Sequence, residues 1–236
     1  MDAQAKVKLV GVRMSTFTRT IRMALEYLQV PYEQMNAPPH SPTALEYNPF
    51  DKVPTLVHNE LVINETPAIR MYIDHTFAQN TSNSQHPLTP IDDFKSAMNV
   101  AMWVSIASDY AFKDLILSLC KKRAALEGEN TDEEKIKLEL EKPAETARLT
   151  LRRLQSVFSR TNGGWEGKGF IVGDSISWAD LFLYPIFADL CSVPEQNLVE
   201  EEAPGLFAWY QSIEKLNIAI NTFDGTVASL RPRVGK

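Results

Sequence analysis

Asp51-Lys52-Val53-Pro54-Thr55-Leu56-Val57, a polar step of His58-Asn59-Glu60, and then Leu61-Val62-Ile63-Asn64-Glu65-Thr66-Pro67-Ala68-Ile69 decide the fold. Val53 to Val57 and Leu61 to Ile63 are short apolar runs around a polar gap, the pattern of a hairpin. The polar pair Glu65-Thr66 then opens a helix over Pro67–Phe77, with proline in the first turn, where no hydrogen-bond donor is lost. Working outward, Val7 to Val12 has the mixed apolar character of a mostly buried strand. Ile21, Met23, Ala24, Leu25 and Leu28 suit a helix from about Thr18 to Leu28. Tyr32 to Met35 reads as a second strand, and Leu45 sits in a short helix or turn before Asn48-Pro49. The order is βαβ followed by αββα.

Residues 81–90 read as a linker between a first unit, 1–80, and a second, 91–236. The stretch Asn80 to Pro90 is polar and carries prolines, which suits a connection. Everything after it has a helical period. Phe94, Met98, Ala101, Met102 and Ile106 form an apolar stripe on a helix from Ile91. Gly128 interrupts. Thr131-Asp132-Glu133-Glu134 reads as a capping box, and Pro143 is expected to kink or restart the helix it opens. That helix continues through Leu149, Leu154 and Phe158 to Asn162-Gly163-Gly164. Gly173-Asp174-Ser175-Ile176-Ser177-Trp178-Ala179-Asp180 precedes the apolar run Leu181 to Leu190. Ser177 suits the cap, Asp180 reaches back to it, and Ile176 with Leu181 forms a hydrophobic staple. Asp180 is therefore read as a helix-start residue rather than a catalytic carboxylate.

Composition narrows the function. The net charge of −6 argues against nucleic acid as a main partner. No apolar run approaches the roughly 18 residues that a membrane span needs, and the polar N-terminus lacks a signal-peptide core. Cys120 and Cys191 lie in apolar segments without paired spacing, so they read as buried small hydrophobes in a reducing, cytoplasmic setting. His40, His58, His75 and His86 show no metal-ligand spacing, and no metal is expected.

Asn48-Pro49-Phe50-Asp51-Lys52-Val53-Pro54 and Glu65-Thr66-Pro67-Ala68-Ile69, with their 11-residue step from Pro54 to Glu65, resemble two motifs of the cytosolic glutathione transferases. The resemblance runs from near residue 6 to near residue 220, and Ala203-Pro204 with Leu206 and Trp209 is similar to that family's penultimate helix. It implies an α/β thioredoxin-like N-terminal domain with a mixed sheet, a linker and an all-α C-terminal domain. It also implies a homodimer, glutathione as co-substrate and small hydrophobic electrophiles as partners.

Glutathione needs charge partners at both ends, a backbone clamp in the middle and help in ionising its thiol. By resemblance, Val53-Pro54 supplies the clamp through a cis peptide bond. Glu65 takes the ammonium of the γ-glutamyl end. Thr66 offers a hydroxyl and a helix start to its carboxylate, or serves only as a helix cap. Lys52 suits the glycine carboxylate by charge, with His40 as a second candidate in the register of the plant phi class. Ser15, in Ser15-Thr16-Phe17-Thr18-Arg19, stands seven residues before the arginine of Ile21-Arg22, as in serine-type classes. There its hydroxyl would donate to the sulfur and favour the thiolate. Ser15 as a simple helix cap, and Thr16 or Thr18 as the hydroxyl, remain open at this point. Position 15 is not cysteine, which disfavours thiol-exchange chemistry. Met14, Phe17, Trp103, Tyr110 and Phe112 are candidates for the acceptor site, although residues at helical spacing also suit a core. The expectation is conjugation to hydrophobic electrophiles, with hydroperoxide reduction or aryl-ether cleavage as variants. A ligand carrier or assembly module on the same fold is the alternative.

Overall fold

Four short strands form one mixed sheet in the computed structural model, which describes residues 6–78, 87–161 and 169–231. They are β1 (Val7–Val10), β2 (Tyr32–Met35), β3 (Thr55–His58) and β4 (Leu61–Ile63), in the order β2-β1-β3-β4. β1 pairs parallel with β2 and antiparallel with β3, and β3 pairs antiparallel with β4. The apolar strands are central: Val7, Leu9, Val10 and Leu56 are buried, while Leu61 and Val62 on the β4 edge are exposed. β3 begins at Thr55, two residues later than the sequence reading. Pro54 has no N–H to give a ladder.

Helix α1 (Thr16–Tyr27) begins two residues earlier than expected, because Ser15 caps it. It is buried almost all round, carrying Thr18, Arg19, Thr20 and Arg22 inward along with its apolar residues. Such burial follows from packing between the sheet and the helical part of the chain. α2 (Pro42–Tyr47) and α3 (Thr66–Thr76) complete the first unit. Most of the expected linker lies outside the described residues. At its end, Thr89 donates to Asp74 of α3 at 2.7 Å, and the Trp178 indole donates to the other oxygen of the same carboxylate at 2.7 Å. One apolar core runs without interruption from Leu9 and Ile21 to Trp178 and Phe187.

The rest is helical. α4 (Phe94–Ile106) passes through a wider π-helical stretch (Ala107–Cys120) into α5 (Lys121–Gly128). Phe94, Met98 and Met102 of the apolar stripe are exposed. Val100, Trp103 and Val104 form the buried face instead. α6 (Glu133–Thr161) is capped by Asp132, whose carboxylate accepts the Glu134 amide at 2.9 Å, not by a box on Thr131. Pro143 lies within it without ending it. The carbonyl that this proline leaves without an amide donor, Glu139, instead accepts the Lys122 ammonium at 2.7 Å. Asn162-Gly163-Gly164 lies outside the described residues.

α7 (Trp178–Leu190) is buried throughout and forms the axis of the helical part. Its start is the expected capping box. Asp180 accepts the Ser177 amide at 2.9 Å, the Ser177 hydroxyl at 2.9 Å, the Ile171 amide at 2.8 Å and the Trp209 indole at 2.9 Å. Burial pushes its carboxyl up to about 6, against the pull of those donors. α8 (Asn197–Glu202), α9 (Pro204–Ile213), α10 (Asn217–Asn221) and α11 (Val227–Leu230) close the structure. Arg231 then pairs with Glu127, which also holds the buried Arg123. Among the described residues, no helix is long and apolar enough to cross a membrane.

Candidate active site

Strand direction brings the residues of interest in the first unit to one end of the sheet. β1 and β4 run toward that end and β3 leaves from it, as the registers Val10↔Thr55 and Leu56↔Ile63 require. Gly11 therefore follows β1, Val53-Pro54 precedes β3, and Asn64-Glu65 follows β4. Thr55 fastens the arrangement by donating its hydroxyl to Asn64 Oδ1 at 2.8 Å.

Gly11 lets these pieces meet. A Cβ there would lie 2.5 Å from Thr18 Oγ1 and 3.3 Å from Val53 Cβ, and its φ of +154° is one that side-chain-bearing residues rarely adopt. The first turns of α1 can thus approach the Val53 segment. Ser15, half-buried, sits at the cap with extended backbone, and its Oγ accepts the Thr18 amide at 3.4 Å. That cap uses a lone pair, so the O–H remains a donor toward whatever lies before the helix start. The helix start adds partial positive charge in the same direction.

The Val53–Pro54 peptide bond is cis. The loop before it is knotted by Asn48, which is buried. Its side-chain amide donates to the Lys52 carbonyl at 3.1 Å and its side-chain oxygen accepts the Phe50 amide at 3.0 Å. Lys52 itself is exposed at the rim. His40 joins the same rim. Its amide donates to the Asp51 carbonyl at 2.8 Å, and its ring Nδ1 pairs with Asp51 Oδ1 at 2.9 Å.

Glu65 has φ 66° and ψ 119°, a conformation that costs a residue with a Cβ about 1–3 kcal/mol. It is exposed and stands immediately before Thr66, the buried first residue of α3. The strained junction thus places an exposed acidic residue directly before the free backbone amides of a helix start.

The acceptor-site candidates divide. Phe17 and Phe112 pack together with ring centroids 4.5 Å apart, and Phe17 also meets Phe182 at 6.0 Å. Met14 and Tyr110 are exposed. Trp103 is 0 % exposed, and its indole faces Thr161 Oγ1 at 3.4 Å, so it belongs to the core and has no surface to offer a substrate. A groove of ≈ 660 Å³ along α1 and β2, lined by Arg22, Glu26, Gln29 and Tyr32 among others, includes none of Ser15, Val53 and Thr66.

Three site features escaped the sequence reading. Gly11 and the side chain of Asn48 act through contacts that only the folded loops create. The third is Asp189, whose Oδ2 accepts the Thr16 hydroxyl at 2.8 Å directly after Ser15. Its one sequence signal was an acid near the end of the otherwise apolar run from Leu181 to Leu190.

Residues 9–81 match the family model described as the glutathione S-transferase N-terminal domain, and residues 108–217 match the one described as its C-terminal domain. Glutathione S-transferase U1 of Arabidopsis thaliana is 26% identical over 227 residues, 91% of this chain and 87% of that protein. Glutathione S-transferase U2 of the same plant is 38% identical over 109 residues, 45% of each chain. The crystal structure of glutathione transferase F7 from Populus trichocarpa superposes with a TM-score of 0.75 at 24% identity, covering 93% of this chain and 98% of that one. With both halves of the family matched in order, and the fold shared over nearly its full length, the chain belongs to the glutathione S-transferase family.

Proposed function

We propose that this chain adds the thiolate of glutathione to hydrophobic electrophiles, and that it does so as a serine-type enzyme with Ser15 as the thiol-activating hydroxyl. In this reading Glu65 takes the γ-glutamyl ammonium, and Thr66 with the α3 start takes the adjoining carboxylate. The Val53 backbone pairs with the middle of the peptide. Lys52 and His40 face the glycine carboxylate. The hydrogen bond from Ser15 strengthens as charge gathers on sulfur, which lowers the thiol pKa without the serine acting as a nucleophile. Phe17 and Phe112 supply apolar surface beside the α1 start, with Met14 and Tyr110 at its edge.

The observation that carries this reading is the convergence at Gly11. Thr18 in the first turn of α1 and Val53 both border the space that the missing Cβ of Gly11 leaves open, at the sheet end that Glu65 follows. The test is conjugation of glutathione to a chromogenic aryl halide, run beside a hydroperoxide assay. Turnover of the aryl halide supports the reading. Glutathione binding without turnover in either assay would make the chain a carrier instead.

The reading includes a homodimer. What supports it is the exposed apolar surface of Phe50, Met71, Phe94 and Met98, which a single copy leaves in water.

A further inference from the structure

Two acids interrupt the buried helix α7, and only one of them is accounted for by stability. Asp180 collects four donors at the helix start. Asp189, at the other end and 4% exposed, has the single hydroxyl of Thr16 at 2.8 Å as its side-chain partner among the described residues. A buried carboxylate with so little compensation opposes folding.

We propose that Asp189 is a positioning residue for the thiol-activating turn: it grips Thr16, so fixing the turn that presents Ser15, and it sets a titratable charge behind the helix start where the thiolate forms. This rests on the function proposed above and deepens it.

The geometry supports both parts. Thr16 is the first residue of α1 and follows Ser15 directly. The same turn is held to α7 by Phe17 against Phe182 and, one turn later, by Arg19 over the Tyr184 ring at 5.0 Å. Asp189 is the polar member of that contact. The cations around it are turned elsewhere. Arg19 donates to Tyr184, Thr222 and the Ala219 carbonyl, and its Nη1 has no hydrogen-bond partner among the described residues. Lys121 lies over the Phe112 ring. Cys120 also faces it, and burial first, then the charges of Asp189 and Glu195, push that thiol up. Burial pushes the Asp189 carboxyl up to about 7, with Thr16, Arg19 and Lys121 pulling the other way.

The sign of the coupling follows. An ionised Asp189 places negative charge near the positive end of α1 and works against a thiolate there. A protonated Asp189 does not. The two ionisations compete, and each raises the pKa of the other.

The experiment measures kcat/KM for glutathione conjugation across pH, beside thiolate absorbance, for the wild type, Asp189→Asn, Thr16→Val and Thr16→Ser. Asparagine keeps an oxygen for Thr16 and removes the charge. The rising limb should move to lower pH by about half a unit to one unit, the size of effect that removing one nearby charge has at intermediate dielectric. Thr16→Val should lower kcat several-fold with KM for glutathione unchanged, and Thr16→Ser should restore it. Thermal melts of all four proteins separate these effects from unfolding. If the Asp189→Asn limb stays in place, or Thr16→Val turns over like the wild type, the proposal is overturned. Should Asp189→Asn fail to fold, the Thr16 pair decides alone. A wild type that forms neither thiolate nor conjugate would overturn the proposed function along with it, whereas an active wild type with unmoved variants overturns this inference only.

Discussion

A hydroxyl at a helix cap has two uses, and Ser15 shows how they can be told apart. Its bond to the Thr18 amide is long, 3.4 Å, so as a cap it contributes at the low end of the usual range, about 0.5 kcal/mol. As a donor to a thiolate it would contribute about 1.5–3 kcal/mol. Ser15→Ala is therefore expected to leave the melting temperature within a few degrees and to slow conjugation about 10- to 100-fold near neutral pH, with partial recovery as pH rises. Glu65 belongs to the same scale. Its strained backbone keeps the carboxylate beside the α3 start, and Glu65→Ala should weaken glutathione binding by about 1–3 kcal/mol in a calorimetric titration. A variant that binds as tightly as the wild type would remove Glu65 from the site. At this scale the sequence was informative where a motif is contiguous. Asn48 to Pro54 and Glu65 to Ile69 are read directly. Asp189 is not, because its partner Thr16 lies on another element and no local pattern joins them.

Elements were legible where their signals are local. The start of α7 could be read from Ser177 and Asp180, since cap and capping residue lie within one turn. Even so, two of the four donors to Asp180, Ile171 and Trp209, come from elsewhere. Asp180→Ala would leave buried donors without acceptors, each costing about 1–3 kcal/mol. The variant is expected to lose more than about 3 kcal/mol in urea unfolding. A loss below about 1 kcal/mol would mean that the network is replaceable. What offsets Pro143 was not legible for the opposite reason: the compensation comes from Lys122 on a different helix. The stripe on α4 was read as helical, and its exposure was not legible because periodicity identifies an apolar face without saying what covers it. The buried acids also set a pH dependence. The folded carboxyls of Asp180 and Asp189, raised to about 6 and about 7, bind protons more tightly than the unfolded chain does. Their stabilising contribution is complete below about pH 4 and declines as pH rises to about 7. The stability of the wild type relative to Asp189→Asn should therefore fall between about pH 5 and pH 8. Urea midpoints at the two pH values measure this, and a constant difference would show that Asp189 is not buried as described.

At the scale of the whole molecule, one core joins the sheet unit to the helices, and several large apolar side chains remain outside it. Phe94 is 83% exposed, and Phe50 and Met71 are each 69% exposed. Sedimentation is expected to give twice the 26.6 kDa chain mass, and Phe50→Ser with Met98→Glu should shift it toward one chain. A wild type sedimenting as a single chain at micromolar concentration would contradict the dimer. The division into a sheet unit and a helical unit was legible from the change of period, while the continuity of their core was not, since no sequence pattern reports which faces meet. The proposed function would draw on this joint: α1 carries Ser15 from the sheet unit, and α7 packs against the same helix from the helical one. The central claim is that this supported turn ionises bound glutathione. It is tested most directly by titrating the thiolate absorbance of glutathione bound to the wild type and to Ser15→Ala. The account predicts a bound-thiol midpoint about one to two units below the ordinary thiol value of about 8.5 in the wild type, and most of that shift lost in the variant. Coincident titration curves for the two proteins would contradict it.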